Sequence, residues 1–333
     1  MERDAYTQNV YRDEDVDLSI LEGKTIAILG YGIQGRPQAL CMRDSGLHVI
    51  IGAGDKEHYP DHHRAREDDF EVYPIGEATA MSDVIHVLIA DPAQPEVYRN
   101  QIHDQLREGQ TLSFAHGFNV LNGGIAPPEF VDVVLYVPNS PGHMVREKFL
   151  EGSGIYGAIA VEHDYTGRAK EIVLALAKGC GSTRVGVIEV DFQQETEGDN
   201  FEEQVLYGGT IHLMQEVFNA MVDNGYPPYF AYAKAIRSLR TVIDVMDEVG
   251  IEEYISRRSS RTAEFAIRWS GPRVINDEEI RKILTETERG EFARDWMQEW
   301  LLGMPTLHRG RRSGGRSVME QVGRGWRELF GGG

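Results

Sequence analysis

Cysteine and long apolar runs are scarce in this 333-residue sequence, and their scarcity excludes several classes of protein. The two cysteines, Cys41 and Cys180, lie far apart and provide neither a zinc-binding spacing nor a disulfide framework. No apolar run reaches the roughly 18 residues that a membrane-spanning helix requires. The charged N-terminus also lacks the apolar segment of a secretory signal. We therefore expect a cytoplasmic protein that does not enter a membrane.

Positive charge is also in the minority. The chain has 34 Lys and Arg residues against 53 Asp and Glu residues, which gives a formal net charge of −19. Because nucleic-acid binding rests on clustered positive side chains, this balance argues against a nucleic acid as partner. With 41% hydrophobic residues the chain can bury a core, and its length suggests about two domains.

A glycine-rich motif near the N-terminus is the clearest sign of a cofactor. The sequence predicts a short apolar strand at Thr25–Leu29 and a helix that opens near Pro37. The residues between them follow the GxGxxG pattern, whose glycines permit a tight turn and the close approach of a pyrophosphate. We therefore predict a dinucleotide site formed by six residues of this loop: Gly30, Tyr31, Gly32, Ile33, Gln34 and Gly35.

The end of the second predicted strand bears on which dinucleotide is bound. The strand His48–Gly52 is followed by Asp55 and Glu57, with no arginine at its tip. An acid at that point accepts a hydrogen bond from the ribose 2′-hydroxyl of NAD, whereas the 2′-phosphate of NADP favours arginine. NAD is therefore the predicted cofactor. NADP remains open because Lys56 and Arg64 lie close by in the sequence.

Further apolar segments extend the predicted sheet, at residues 84–90, 111–114, 131–137, 155–161 and 183–189. Ligands of an open α/β sheet bind at the carboxyl ends of its parallel strands. We therefore predict cofactor contacts in the segments that follow the strands, at Asp91, Pro92, His116 and Gly142. His143 also follows a strand. For either histidine taken alone, a structural role fits the sequence as well as a catalytic one.

From residue 191 onward the apolar pattern is helical throughout. Apolar stripes, such as the one within residues 229–249, belong first to a core, and their richness also fits a subunit interface. The predicted fold class is an α/β Rossmann domain followed by an all-α domain. The predicted boundaries are residues 1–190 for the first domain and residues 191–333 for the second.

The acidic segment ETEGDNFEEQ, at residues 195–204, carries the candidate metal ligands. Asp199 and Glu203 stand four residues apart in a predicted helix, so their carboxylates lie on one face. Two carboxylates so placed suit Mg²⁺, which prefers oxygen ligands. The alternative is a solvated acidic face near the start of a helix.

Several motifs together resemble the ketol-acid reductoisomerase family in its short, class I form. They are DLSILEGKTIAILGYGIQG, FAHGFN, PNSPGHMVRE, ETEGDNFEEQ, RTAEF, GPRVI and GEFARDW, and they span nearly the whole chain. The resemblance implies that the helical domain is knotted and that the protein is a homodimer with a shared active site. It also implies an enzyme that moves an alkyl group within a 2-hydroxy-3-keto acid and reduces the new ketone with NADPH, aided by two Mg²⁺ ions.

The resemblance assigns roles to four residues that match the family's motifs. Asp199 and Glu203 match the carboxylates that bind the first metal ion, so one Mg²⁺ is expected there. His116 matches the active-site histidine of the family. Ser260 matches the serine that binds the carboxylate of the substrate.

Other positions depart from the family pattern. Asn139 stands where the family has a lysine, and Lys234 and Ser238 stand where it has the two glutamates of the second metal site. The arginine usual at the tip of the second strand is also missing. These changes replace a divalent ion with the single charge of Lys234, which we therefore expect to be catalytic. Asn139 and Ser238 are expected to contact the substrate.

The departures make altered chemistry the first hypothesis. It is an NAD-dependent enzyme of secondary metabolism that acts on a 2,3-dihydroxy acid by concealed oxidation and reduction, with loss of a leaving group. One branch of the family looks like this, and forms a cyclopropanol from a sulfonium dihydroxy acid in Burkholderia malleicyprol biosynthesis. The alternatives are an authentic ketol-acid reductoisomerase of branched-chain amino-acid biosynthesis and a non-catalytic, nucleotide-binding regulator.

Overall fold

The computed structural model describes residues 9–54 and 60–330. The chain divides by its internal contacts into two compact units, one that ends at Gly198 and one that begins at Asp199. Among the described residues, no helix is both long enough and apolar enough to cross a membrane.

The first unit is built on a nine-stranded sheet whose order is β1-β9-β8-β7-β6-β5-β2-β3-β4. The strands are β1 (Val10–Tyr11), β2 (Thr25–Leu29), β3 (His48–Ala53), β4 (Val72–Pro74), β5 (Val84–Val87), β6 (Thr111–Phe114), β7 (Asp132–Pro138), β8 (Gly157–His163) and β9 (Val187–Glu189). The six strands from β4 to β7 across the sheet are parallel to one another. Strand β8 is antiparallel to β7, and β1 is antiparallel to β9.

The order of the parallel strands reverses between β2 and β5. Strand β2 pairs with β3 on one side and with β5 on the other, so the chain winds outward in both directions from this point. A crevice opens at the carboxyl ends of the two strands where such a reversal occurs, and ligands of doubly wound sheets bind there. The fold therefore sets the candidate site at the ends of β2, β3 and β5.

Helices cover both faces of the sheet. In the first unit they are α1 (Gly35–Asp44), α2 (Pro60–Glu67), α3 (Ile75–Met81), α4 (Gln94–Val97), α5 (Phe118–Leu121), α6 (Gly142–Leu150) and α7 (Ala169–Gly179). One buried apolar cluster includes Ile28 and Leu176, and a second includes Leu29 and Ile85. Successive residues of β2 thus belong to different clusters. This explains why the parallel strands read as unbroken apolar runs rather than alternating ones.

The second unit is helical. Helix α8 (Phe192–Phe201) leads into it, and the helices that follow are α9 (Gly209–Asp223), α10 (Pro228–Tyr232), α11 (Ser238–Val249), α12 (Ile251–Glu253), α13 (Arg261–Ser270), α14 (Asp277–Glu288), α15 (Glu291–Leu301), α16 (Pro305–Gly314) and α17 (Val318–Phe330). Its buried cluster contains Phe218, Ala231, Tyr232 and Ala235, with Trp326 packed against it. The predicted fold class, a Rossmann-like α/β domain and a helical domain, is confirmed; the knot stays a prediction.

Two predicted strands are shorter than expected. The segment 183–189 forms a strand only at Val187–Glu189, because Gly181 and Gly186 have φ angles of +82° and +144° and the chain between them makes a turn of 3₁₀ helix. The segment 84–90 leaves the sheet after Val87 and turns into the 3₁₀ helix Asp91–Ala93.

Helix α17 packs closely on α10 at Gly323, and this contact predicts that a larger residue there lowers the stability of the protein. A Cβ atom at Gly323 would lie 2.9 Å from Cε2 of Tyr232, whose side chain is buried. We expect Gly323→Ala to lower the free energy of unfolding by about 1–3 kcal/mol, the usual cost of overpacking. Denaturant-induced unfolding followed by circular dichroism measures the change.

Gly310→Ala is the matched control, because Gly310 lies inside helix α16 and a Cβ there would meet nothing within 4 Å. Alanine is the better helix former, so this variant should be unchanged or more stable by up to about 1 kcal/mol. A Gly323→Ala protein as stable as Gly310→Ala would show that the contact with Tyr232 is not tight.

Candidate active site

The glycine-rich loop between β2 and α1 has room for side chains at only some positions. Gly30 has a φ angle of +96°, and a Cβ there would lie 2.9 Å from the carbonyl oxygen of Leu88. A Cβ at Gly35 would overlap the carbonyl oxygen of Gly30, whereas one at Gly32 would meet nothing within 4 Å. The first and third glycines are therefore required by packing, and the second leaves open space for a ligand.

The loop is tied to the end of helix α2 by one carboxylate. The hydroxyl of Tyr31 donates to Asp68 at 2.8 Å, and Arg36 donates to both oxygens of Asp68 at 2.6 and 3.0 Å. The Arg36 guanidinium, helped by Tyr31, lowers the pKa of Asp68. The Tyr31 side chain is fully buried in this arrangement.

A second segment supports the loop from the start of helix α6. A Cβ at Gly142 would overlap the carbonyl oxygen of Ile33, and Gln34 donates through Nε2 to the carbonyl of Ser140 at 3.1 Å. Gly142 therefore packs against the loop and does not line the cavity in front of it. Ile33, at the tip of the loop, is 83% exposed.

A cavity of about 830 Å³ lies in front of the loop, at the ends of β2, β3 and β5. Its wall includes the loop glycines, the end of β3, and polar side chains that converge from three segments: Asp61, Asp91, Gln94, Gln101 and His116. The predicted residue Asp55 lies outside the described residues, so the structure gives it no position. A half-open groove of this size with a glycine cradle fits a dinucleotide.

His116 lies in the wall of this cavity and faces a carboxylate. Its Nδ1 is 3.5 Å from Oδ2 of Asp91, and its side chain is only 17% exposed. The imidazole ring stacks on Phe118, with centroids 5.9 Å apart. Pro92 is buried next to Asp91 and fixes the turn that carries it. The structure thus brings together Asp91 and His116, which the sequence placed only at the ends of different strands.

The predicted metal ligands belong to the second unit. Asp199 lies in helix α8 and Glu203 in the π-helical segment Glu202–Gly208. Asp199 is half-buried and Glu203 is exposed. The described residues contain no cluster of three or more His, Cys, Asp or Glu side chains suited to a metal ion. Mg²⁺ needs only one or two protein carboxylates, however, because water and substrate oxygens complete its shell. The oxygen donors of the pair therefore suit this ion, and the metal site stays a prediction.

The residues expected to contact the substrate have local partners. Lys234 is exposed, with its Nζ 5.4 Å from the ring centroid of Phe230. Ser238 donates to the carbonyl of Ala233 at 3.2 Å. Ser260 caps helix α13 by accepting from the backbone N–H of Ala263 at 3.1 Å. Asn139 is half-buried at the end of β7. The structure leaves the predicted roles of these four residues as predictions.

Three π-helical segments of the second unit contain or closely precede one of these candidates, and the sequence did not reveal any of the three. Glu203 lies in Glu202–Gly208, Lys234 lies in Ala233–Arg237, and Ser260 follows Tyr254–Arg258. Single π turns within α-helices are rare and occur frequently at functional sites. We find no residue pattern in the sequence that marks them.

Comparison with known proteins matches both parts of the chain to one family. Residues 20–186 match the acetohydroxy acid isomeroreductase NADPH-binding domain, and residues 192–331 match the ketol-acid reductoisomerase C-terminal domain. A ketol-acid reductoisomerase (NADP(+)) of Methanopyrus kandleri is 45% identical over 323 residues, which cover 97% of this chain and 98% of that protein. The chain belongs to the ketol-acid reductoisomerase family.

Two further similarities connect the fold with the cofactor. A ketol-acid reductoisomerase (NAD(+)) of the uncultured archaeon GZfos26G2 is 41% identical over 330 residues, 96% of this chain and 98% of that protein. The structure of an NADH-preferring ketol-acid reductoisomerase from an uncultured archean aligns with a TM-score of 0.92 at 41% identity, covering 97% of this chain and 99% of that one. The chain is therefore an NAD(P)-dependent oxidoreductase of this family.

The first hypothesis, a cyclopropanol-forming enzyme of secondary metabolism, is wrong. The relatives named above match along nearly the whole chain and are ketol-acid reductoisomerases, and their likeness does not support the altered chemistry. That hypothesis depended on Asn139, Lys234 and Ser238 and on the missing arginine at the tip of the second strand, and these few departures weigh less than an agreement that extends through both domains.

The hydrogen bonds from Tyr31 and Arg36 to Asp68, which we call the Asp68 anchor, predict that a substitution of Asp68 weakens cofactor binding. Asp68→Asn removes the charge that holds Arg36 and Tyr31, and a hydrogen bond to a charged group contributes about 1.5–3 kcal/mol. We expect NADH to bind up to about tenfold more weakly, since tenfold corresponds to about 1.4 kcal/mol. Titration of NADH fluorescence measures this.

The pKa of Asp68 is lowered on folding, so the stabilising effect of its carboxylate is present at neutral pH and is lost as the pH falls through the folded-state pKa.

Asp69→Asn is the matched control for this experiment. Asp69 is the next residue, is exposed, and has a φ angle of +61° that asparagine adopts readily. Its NADH affinity should equal that of the wild type. Equal affinities in Asp68→Asn and Asp69→Asn would mean that the loop keeps its shape without the anchor.

Proposed function

We propose that this protein is a cytoplasmic ketol-acid reductoisomerase of branched-chain amino-acid biosynthesis, acting on acetolactate and similar 2-hydroxy-3-keto acids. The observation that carries the proposal is the 45% identity to a ketol-acid reductoisomerase over 97% of the chain. The cavity at the strand ends supports it, because the glycine loop and His116 share its wall.

The proposed isomerisation is a proton transfer coupled to the movement of an alkyl group. A proton leaves the 2-hydroxyl while the alkyl group and its bonding electron pair move from C2 to C3, and the oxygen on C3 gains a proton. We assign proton transfer at the 2-hydroxyl to His116, whose imidazole lines the cavity beside Asp91. When bound, the reduced nicotinamide supplies hydride for the new ketone, and Mg²⁺ polarises the substrate oxygens.

Asp199 and Glu203 are the proposed Mg²⁺ ligands. Their spacing on one helical stretch and their oxygen donors support this assignment. For Lys234, Ser238, Ser260 and Asn139 we propose contacts with the polar groups of the substrate. The π turns beside the first three support a functional role for those positions.

We further propose that the enzyme is a homodimer. In the single chain the second unit leaves large apolar side chains uncovered, including Phe265 (65% exposed), Trp269 (66%) and Leu301 (80%). Phe265 and Trp269 stack on each other with centroids 5.9 Å apart. Contiguous exposed apolar groups of this kind mark protein interfaces. A second copy of the chain is the partner that the family likeness suggests.

Turnover of acetolactate tests the proposed function. The protein is incubated with acetolactate, Mg²⁺ and either NADH or NADPH, and the dihydroxy acid product is followed by mass spectrometry. We expect product only when both Mg²⁺ and a reduced cofactor are present. Asp199→Asn should lower kcat/KM at least about 100-fold, since a bound metal contributes several kcal/mol to the transition state.

Glu202→Gln is the control for Asp199→Asn, because it removes a neighbouring acid that is not a proposed ligand. Its kcat/KM should remain within about twofold of the wild type. Binding of NADH without turnover of acetolactate would favour the non-catalytic regulator instead and contradict the proposed function.

NAD is the cofactor that we propose this enzyme prefers. Gly52, Ala53 and Asp61 line the cavity at the end of β3, where the adenosine ribose of a dinucleotide lies in this type of fold. Asp61 forms an ion pair with Arg64, so the positive charge of this nearby arginine is already paired with a carboxylate. Acids at this end of the cavity disfavour a 2′-phosphate and accept a hydrogen bond from a 2′-hydroxyl.

Asp55→Arg should therefore shift the preference toward NADPH. An arginine at the strand tip adds charge-assisted hydrogen bonds to the 2′-phosphate, so the ratio of kcat/KM for NADPH to that for NADH should rise about tenfold or more. Glu67→Arg makes the same charge change at an exposed position of α2 away from the cavity. The interpretation fails if Asp55→Arg and Glu67→Arg alter the ratio equally.

A further inference from the structure

One carboxylate oxygen of Asp91 faces the histidine proposed to transfer the proton. Oδ2 of Asp91 lies 3.5 Å from Nδ1 of His116, and both side chains line the same cavity. We propose that Asp91 is a positioning residue: it holds the His116 imidazole in the tautomer protonated at Nδ1, which leaves Nε2 as the proton acceptor. The inference rests on the proposed function, because it assigns His116 a proton to move.

Two buried amides fix the position of Asp91. Gln94 donates through Nε2 to Oδ1 of Asp91 at 3.1 Å and to the carbonyl of Ile89 at 2.7 Å. Asn119 donates through Nδ2 to the backbone carbonyl of Asp91 at 2.8 Å and to Oε1 of Gln94 at 3.0 Å. Gln94 and Asn119 are 4% and 3% exposed, so water has little access to these donors, while the side chain of Asp91 is 34% exposed where it lines the cavity.

These contacts use both amide N–H groups of Gln94 and both of Asn119. An amide side chain carries two N–H donors, so neither side chain can turn without leaving a buried donor unsatisfied. The amide group of Gln94 therefore occupies Oδ1 and leaves Oδ2 to face the imidazole. We call the four residues Asn119, Gln94, Asp91 and His116 the Asp91 relay.

A carboxylate opposite one imidazole nitrogen selects the tautomer, because the carboxylate can only accept a hydrogen bond. The 3.5 Å separation is longer than an ideal hydrogen bond, as is common for catalytic pairs before substrate binds. In the serine protease triad, replacing the corresponding aspartate by asparagine keeps the geometry but yields the wrong tautomer, and kcat falls about 10⁴-fold.

The alternative is that Asp91 only stabilises the turn between β5 and α4. The chain contains a comparison for that case, since His103 and Asp104 form a similar pair at 2.9 Å on the surface. Asp104 is 86% exposed, and neither residue lines the cavity. The two cases differ in one respect: a positioning residue acts only through His116, whereas a structural residue acts whether or not His116 is present.

A double-mutant cycle in the full-length enzyme separates the two cases. We expect Asp91→Asn to lower kcat for acetolactate about 100-fold, within the range that general acid–base catalysis contributes, with the NADH dissociation constant changed less than about threefold. In the His116→Gln background, the same substitution should change kcat less than about twofold, because coupled residues are not additive. Asp104→Asn is the control and should leave kcat unchanged.

Equal losses from Asp91→Asn in both backgrounds, or a parallel fall in thermal stability and NADH affinity, would overturn the inference in favour of a structural role. Partial recovery of kcat in Asp91→Glu, which restores the carboxylate, is expected if the charge positions the ring. Asp91→Glu no more active than Asp91→Asn would also count against the inference.

An independent measurement covers the case in which the proposed function fails. The protein is labelled with ¹⁵N-histidine and bound to NADH, and the ring resonances of His116 are assigned by their loss in His116→Gln. We expect nitrogen shifts typical of the Nδ1–H tautomer in the wild type, and of the other tautomer or a mixture in Asp91→Asn. Identical shifts in the two proteins would refute the positioning role whatever the substrate proves to be.

Discussion

The close approach of backbones around the glycine-rich loop is the constraint from which the candidate site follows. Gly30 lies against the backbone at Leu88, Gly35 against the carbonyl of Gly30, and Gly142 against the carbonyl of Ile33. A side chain at Gly30 would push the loop away from the segment after β5, one at Gly35 would distort the loop itself, and one at Gly142 would separate the loop from α6. Because the chain passes so close at these points, the loop curves around open space at Gly32, and a cavity forms at the reversal of strand order.

Much of the fold could be predicted from the sequence because the parallel strands are buried on both faces. Such strands appear as unbroken apolar runs, and those at Thr25–Leu29 and Thr111–Phe114 have the predicted bounds. Strands β1 and β4 escaped prediction because they contain two and three residues, too few for a pattern. They form because the sheet edge offers hydrogen-bonding groups, and that property belongs to the assembled sheet.

The site was only partly predictable for a similar reason. The glycine pattern, Asp91 and His116 could be identified because each follows a strand, and the fold directs strand ends to one crevice. Asp68 and Asn119 could not be identified, because their partners lie 32 and 28 residues away in sequence and no local spacing connects them. Substituted positions such as Lys234 were misleading for function: a single site says little about reaction class when both domains match one enzyme family.

The Asp91 relay and the Asp68 anchor use different chemistry for similar ends. At Asp68 the partner is a guanidinium that is 48% exposed on its side chain, so solvent screens part of the attraction. In the relay the orienting groups are neutral amides that are themselves only 4% and 3% exposed, and a hydrogen bond from a buried amide is specific in direction and costly to leave unmade. A neutral amide does not cancel the negative charge of Asp91, whose side chain is 34% exposed and whose Oδ2 faces the imidazole. A cation in place of Gln94 would compete with His116 for that charge, so an amide is the better partner for a carboxylate that must orient a base.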